Sequence, residues 1–274
     1  MDNPLDFSGR AVAVFGGTSG INLGIADAFA ARGARLAVVS RSQEKVDGAV
    51  QRLSAHGTQS CGFAADVRDA EAVETAFGAI AGRLGPLDVL VSGAAGNFPA
   101  PALGMSTNGF KAVVDIDLLG TFNVLRAGHA HLRRPGASVI NISAPQALLA
   151  MEMQAHVCAA KAGVDMLTRV LALEWGPQGL RVNSIVPGPI EGTEGMRRLA
   201  PTPEIARRVS ASVPMRRFGT LEDVANLALF LASPLAGYVN GAVIPVDGGW
   251  SVGGAHAAMG ELADWLKQQS PSAR

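Results

Sequence analysis

The stretch AVAVFGGTSGINLGIADAFAARG, residues 11–33, decides how the rest of the chain is read. Its first five residues are apolar and either small, branched or aromatic, as in a strand buried on both faces. Gly16 and Gly20 follow, and then a helical pattern from Ile21 to Arg32. Strand, glycine turn and helix in that order put backbone N–H groups at a helix N-terminus, where they can hold a pyrophosphate. Glycines alone would mark only a tight turn; the flanking elements give the dinucleotide reading. Gly16, Thr18, Ser19, Gly20 and Asn22 are therefore assigned to a cofactor. Asn22 stands where a third glycine is usual. Asn tolerates left-handed backbone better than most residues, so the turn is expected to survive this departure.

Working outward, further strands are expected at Arg35–Ser40, Cys61–Asp66, Leu87–Ser92, Ser138–Ser143, Arg181–Val186 and Gly241–Val246. Helical patterns cover Ala70–Arg83, Gly109–Leu132, Gln154–Trp175 and Leu221–Leu231. This alternation predicts an α/β fold: one doubly wound parallel sheet of about seven strands, a Rossmann fold, with helices on both faces. No composition break divides the 274 residues, so a single domain over 1–274 is expected. Apolar residues make up 48% of the chain, enough for a large core. Lys+Arg and Asp+Glu both number 23, so no basic face for nucleic acid is expected. No apolar run reaches membrane-spanning length, and MDNPLDFSGR does not resemble a secretory signal. Cys61 and Cys158 suit a reducing compartment, and a cytoplasmic location is expected.

The end of the second strand reads VVSRSQEK. A carboxylate there would bind the ribose 2′-hydroxyl of NAD. Ser40 and Arg41 instead suit a 2′-phosphate, which makes NADPH the expected cofactor; otherwise Arg41 is a solvated strand-end arginine.

GGTSGIN, ADV at Ala65–Val67, AKAG at Ala160–Gly163, RVNSIVPGPI at Arg181–Ile190 and GAVIPVDGG at Gly241–Gly249 resemble the short-chain dehydrogenase/reductases over nearly the whole chain. The resemblance implies that Asp66 and Val67 hold adenine and that Ala94 and Ala95 line the dinucleotide. It also implies that Lys161 holds the nicotinamide ribose and that Pro187, Gly188 and Ile190 meet the carboxamide. The tetrad Asn, Ser, Tyr, Lys of that family reads here Asp117, Ala144, Val157, Lys161, and the single tyrosine is the distant Tyr238. Ser143 is one place early and, by strand alternation, faces the other way. GAAGNF (Gly93–Phe98), DIDLLGTFNV (Asp115–Val124), LALEWGPQGLRVNSIVPGPIEGTEGMRRL (Leu171–Leu199) and LASPLAGYVNGAV (Leu231–Val243) resemble the 2,4-dienoyl-CoA reductases, the peroxisomal type most. That subfamily also lacks the tyrosine and carries Asp for Asn. The C-terminal PSAR is not a peroxisomal tripeptide.

The chemistry tolerates the loss. Ketone reduction builds an alkoxide that needs a positioned acid. Conjugate reduction of a dienoyl thioester takes hydride at carbon 5 and spreads charge to the thioester oxygen, which needs hydrogen-bond donors. Water can then protonate carbon 2. Gln154, seven residues before Lys161, falls within about 20° of its helix face. Its amide either donates to the thioester oxygen or serves as a helix-start residue bonded to backbone or solvent. Asp117 is read as a partner for Lys161 or an ordered water, since a bare carboxylate would repel an enolate. His156 and Cys158 are read as structural. Phe98, Ser106, Thr107 and Asn108 are implied to line the acyl site. Arg197 and Arg198 are candidate CoA-phosphate contacts, with Arg216 and Arg217 the alternative; either pair otherwise reads as solvated surface. The long helices resemble the family's tetramer faces, so a homotetramer is expected. A ketoacyl thioester reductase and a non-catalytic NADP-binding sensor are the competing readings.

Overall fold

The computed structural model describes residues 3–255; the C-terminal PSAR lies outside them. Seven strands are described: β1 (Ala11–Phe15), β2 (Arg35–Ser40), β3 (Ser60–Ala64), β4 (Val89–Ser92), β5 (Ser138–Ile142), β6 (Arg181–Pro187) and β7 (Val243–Val246). They form one sheet in the order β3-β2-β1-β4-β5-β6-β7, with every pairing parallel. Helices α1 (Gly20–Ala30), α2 (Gln43–Ser54), α3 (Ala70–Leu84), α4 (Thr107–Val114), α5 (Gly120–His129), α6 (Ala155–Trp175), α7 (Glu194–Leu199), α8 (Pro203–Ser212) and α9 (Leu221–Ala232) connect or follow them.

Period-two alternation along β1 explains the two layers. Val12 and Val14 pack with Ile25 and Phe29 of α1, Leu53 of α2 and Val224 of α9. Ala11, Ala13 and Phe15 face the opposite layer, with Phe77 of α3, Leu125 of α5 and Trp175 of α6. Each large side chain buried this way contributes about 1.5–3 kcal/mol. Strand order reverses between β1 and β4. That reversal opens a crevice at the carboxyl ends of these two strands, where open α/β sheets bind ligands.

Strand bounds shift by one to two residues at β3 and β7, and two helical features also differ from the sequence reading. The pattern over 109–132 is not one regular helix, because a π-helical stretch at Asp115–Leu119 separates α4 from α5. Gln154 is the residue before α6 rather than within it.

Candidate active site

The switch-point crevice is an open cleft of about 240 Å³. Gly16, Thr18, Ser19 and Asn22 form one wall, and Gly93, Ala94 and Ala95 after β4 form another. Gly16 has φ +78°, and a Cβ on it would sit 2.8 Å from the Ala94 nitrogen. The two loops therefore meet backbone to backbone, which only glycine permits. Gly20 opens α1 with φ +52°. Ser19 precedes it, makes no capping hydrogen bond, and no acidic residue follows in the first turn. The leading N–H groups of α1 are left for an anion, so this wall fits a pyrophosphate.

Asn22 is right-handed helical, not left-handed: among the described non-glycine residues only Met153 and Arg216 have positive φ. Its tolerance at the third-glycine position comes instead from the space left by Gly93, whose carbonyl accepts from Asn22 Nδ2 at 2.7 Å.

At the far end lie Ser40, Arg41, Asp66 and Val67. Lys45 joins them from the first turn of α2. The sequence reading missed it; a helix starting just after Arg41 would have shown it. Asp66 is the one carboxylate lining the cleft among the described residues. Arg68 engages it through Nε to Oδ1 at 3.0 Å and through its terminal nitrogen to Oδ2 at 2.5 Å. These bonds hold the Asp66 carboxyl below the usual range, and Arg41 adds a weaker pull. The cation-rich rim thus has its single negative charge already engaged.

Lys161 and Asp117 meet between α6 and the π-helical stretch. Nζ of Lys161 lies 3.4 Å from Asp117 Oδ2, with the side chains 6% and 1% exposed. Nζ also donates to the Ile142 carbonyl at the end of β5, at 3.0 Å. An ammonium has three N–H groups, and the single hydrogen bond to Ile142 leaves at least one for a further acceptor. Oδ1 of Asp117 accepts from Gly96 N at 2.7 Å, and Thr121 Oγ1 donates to the Asp117 carbonyl at 2.7 Å. Gly96 and Lys161 thus hold the two carboxylate oxygens, and Thr121 the backbone carbonyl.

Val157 is 3% exposed and packs with Val113 of α4 and Ala160. The side chain at this position is held in apolar packing and carries no hydroxyl. Ala144 is extended at the end of β5. The Ser143 hydroxyl faces Asp165 on α6 without completing a hydrogen bond, whereas Ser184 Oγ donates to Asp165 Oδ1 at 2.9 Å. Asp165 is 3% exposed, and burial pushes its carboxyl above the ordinary range. Its spacing of four from Lys161 puts it on the same helix face, the signal by which the sequence could have revealed it.

Gln154 is 5% exposed; its Oε1 has no partner among the described residues. His156 is fully buried, and its Nε2 lies 2.9 Å from the Phe98 carbonyl. The two rings are 4.7 Å apart, so His156 holds Phe98 in place. Ser106 spends its hydroxyl capping α4, accepting from Gly109 N at 3.0 Å, and Thr107 and Asn108 begin that helix.

Arg197 and Arg198 are exposed but both pair with Glu194, and Arg198 also donates to the Asn97 carbonyl at 2.7 Å. Arg217 pairs with Asp223. Pro187, Gly188 and Ile190 do not line the cleft. Ile190 is buried in the core beside α9, so its side chain does not face a ligand.

The reversed strand order and the anion-ready turn define the class: an α/β dinucleotide-binding protein. The family profile described as "Enoyl-(Acyl carrier protein) reductase" matches residues 16–251. A rat protein named "Peroxisomal 2,4-dienoyl-CoA reductase [(3E)-enoyl-CoA-producing]" is 45% identical, over 88% of this chain and 83% of its own. A Bacillus subtilis protein named "Probable 2,4-dienoyl-CoA reductase [(2E)-enoyl-CoA-producing]" is 39% identical, over 88% of this chain and 96% of its own. The crystal structure of levodione reductase superposes with a TM-score of 0.85 at 31% identity, covering 90% of this chain and 99% of that one. The chain belongs to the short-chain dehydrogenase/reductase family, a family of nicotinamide-dependent oxidoreductases.

Asp165 generates a pH prediction. Its folded pKa is raised above the ordinary 3.8, so the folded chain binds this proton more tightly than the unfolded one. Stability then falls as pH rises from about that ordinary value through the raised one. Urea midpoints measured across the acid range should show this fall in the wild type, and Asp165→Asn should flatten it. Parallel curves for the two proteins would exclude the assignment.

Proposed function

We propose that this chain catalyses NADPH-dependent reduction of 2,4-dienoyl-CoA thioesters to 3-enoyl-CoA. The carrying observation is a packed Val157 beside an intact, buried Lys161–Asp117 pair. A site so built keeps its means of holding a ribose but offers no hydroxyl acid from position 144 or 157. Ketone reduction needs that acid; conjugate reduction does not. The names carried by the rat and Bacillus relatives support the same substrate class.

A bound nicotinamide dinucleotide supplies the hydride. In the proposal, the α1 N-terminus holds its pyrophosphate, while Asp66 and Val67 flank the adenine and Ala94 and Ala95 line the dinucleotide. Pro187, Gly188 and the Ile190 backbone meet the carboxamide. Lys161 gives a remaining N–H to a ribose hydroxyl, and Asp117 neutralises the ammonium that would otherwise be buried alone. The Gln154 amide, with no protein partner for its oxygen, is free to turn a donor toward the thioester oxygen. Phe98 and the start of α4 (Ser106, Thr107, Asn108) bound the acyl chain. Arg197 and Arg198 meet CoA phosphates in competition with Glu194. Met166, Val170 and Leu173 form an exposed apolar stripe on α6, with Phe122 exposed on α5; these faces support the proposed homotetramer.

Product geometry follows from the acid-free site. Once hydride reaches carbon 5, charge resides on the thioester oxygen, carbon 2 and carbon 4. With no side chain placed to deliver a proton to carbon 4, water protonates carbon 2, which carries more of the charge. The remaining double bond is then at carbon 3.

Two experiments test this. Calorimetric titration should show NADPH bound more tightly than NADH by about 2–3 kcal/mol, from charge-assisted contacts of Arg41 and Lys45 with a 2′-phosphate. Arg41→Ala should remove much of that preference, and a preference unchanged in Arg41→Ala would reject the assignment. Reduction of a trans-2,trans-4-dienoyl-CoA by 4-deuterated NADPH should put label at carbon 5, solvent hydrogen at carbon 2 and a double bond at carbon 3. Label at carbon 3, or a 2-enoyl product, would overturn the acid-free account.

A further inference from the structure

Asn22 and Gly93 touch across the mouth of the dinucleotide cleft. Asn22 lies in the first turn of α1, and Gly93 is the first residue after β4. Asn22 Nδ2 donates to the Gly93 carbonyl at 2.7 Å. A Cβ on Gly93 would fall 2.5 Å from both Cγ and Nδ2 of Asn22, where ordinary contact needs about 3.5–4 Å. Gly93 does not have positive φ. Its lack of a side chain is therefore a matter of space and not of backbone conformation. The gap between the turn and the loop holds one polar side chain: two would collide, and none would leave the Gly93 carbonyl without this donor.

The loop that Asn22 ties is shared by both halves of the site. Its next residue, Ala94, meets Gly16 backbone to backbone. Two residues further, Gly96 N–H donates to Asp117. A shift at Gly93 is thus transmitted to the pyrophosphate wall and to the carboxylate paired with Lys161. We infer that Asn22 and Gly93 are a size-matched pair, with Asn22 the positioning residue that sets the width of the dinucleotide cleft. Asn22 occupies the position a third glycine would hold, and Gly93 yields the volume it takes.

The test is a double-mutant cycle on the full chain, read by titration calorimetry with whichever nicotinamide dinucleotide the wild type binds more tightly, and by melting temperature. Asn22→Gly should fold and bind roughly tenfold more weakly. Gly93→Ala should weaken binding at least as much, or fail to fold, in the wild-type background. In the Asn22→Gly background the same Gly93→Ala change should cost nothing further. The exchanged variant, Asn22→Gly with Gly93→Asn, should recover part of the lost affinity, which a simple loss of stability would not do. Overturning results are unchanged affinity in Asn22→Gly, or an equal penalty for Gly93→Ala in both backgrounds. Failure of Gly93→Ala to fold even when Asn22 is glycine would also overturn the inference.

Discussion

A lysine ammonium with 6% of its side chain exposed cannot stay charged in a protein interior without a partner, and much of this site is arranged around that requirement. Asp117 supplies the opposite charge at 3.4 Å and the Ile142 carbonyl supplies an acceptor at 3.0 Å. Asp117 is itself held by Gly96 N–H. Asp165, one helical turn from Lys161, is shifted toward its neutral form by burial. One strong charge pair thus joins the end of β5, α6, the π-helical stretch and the loop after β4. Removing Asp117 would leave an uncompensated buried cation, a change of about 3–5 kcal/mol.

The pair also accounts for what is missing. Val157 shares α6 with Lys161, and it is packed against Val113 rather than presented to the crevice. In the proposed reading the helix keeps the cation assigned to a cofactor ribose and gives up the hydroxyl that would protonate a ketone. Chemistry that places negative charge on a delocalised thioester can proceed there, because hydrogen-bond donors, not a matched acid, answer that charge.

The sheet was legible because buried parallel strands are nearly continuous apolar runs, and β1, β2 and β6 sit where such runs predict them. The dinucleotide cleft was legible in part because its glycines are forced by close backbone approach, as at Gly16. The π-helical stretch was not, since residues 109–132 keep helical composition throughout and the extra backbone residue leaves no mark on the apolar pattern. The motif at Ile190 marks a ligand contact without saying which part of the residue makes it; the side chain belongs to the core beside α9, which leaves the backbone for that role. The pairing of Arg198 with Glu194 follows an i,i+4 spacing and was available from the sequence. Its bond to the Asn97 carbonyl, 101 residues away, was not. Asn22 departs from the glycine pattern for a reason visible only once Gly93 is opposite it.

The claim that this site reduces conjugated thioesters because it lacks an acid is tested most directly by side-by-side turnover. NADPH oxidation by the wild-type protein should be followed with a 2,4-dienoyl-CoA and with a 3-ketoacyl-CoA of the same chain length. The account predicts rapid oxidation with the dienoyl ester and little with the ketoacyl ester. Efficient ketoacyl reduction would contradict it, and tight NADPH binding with no turnover of either ester would mark a cofactor-binding sensor instead.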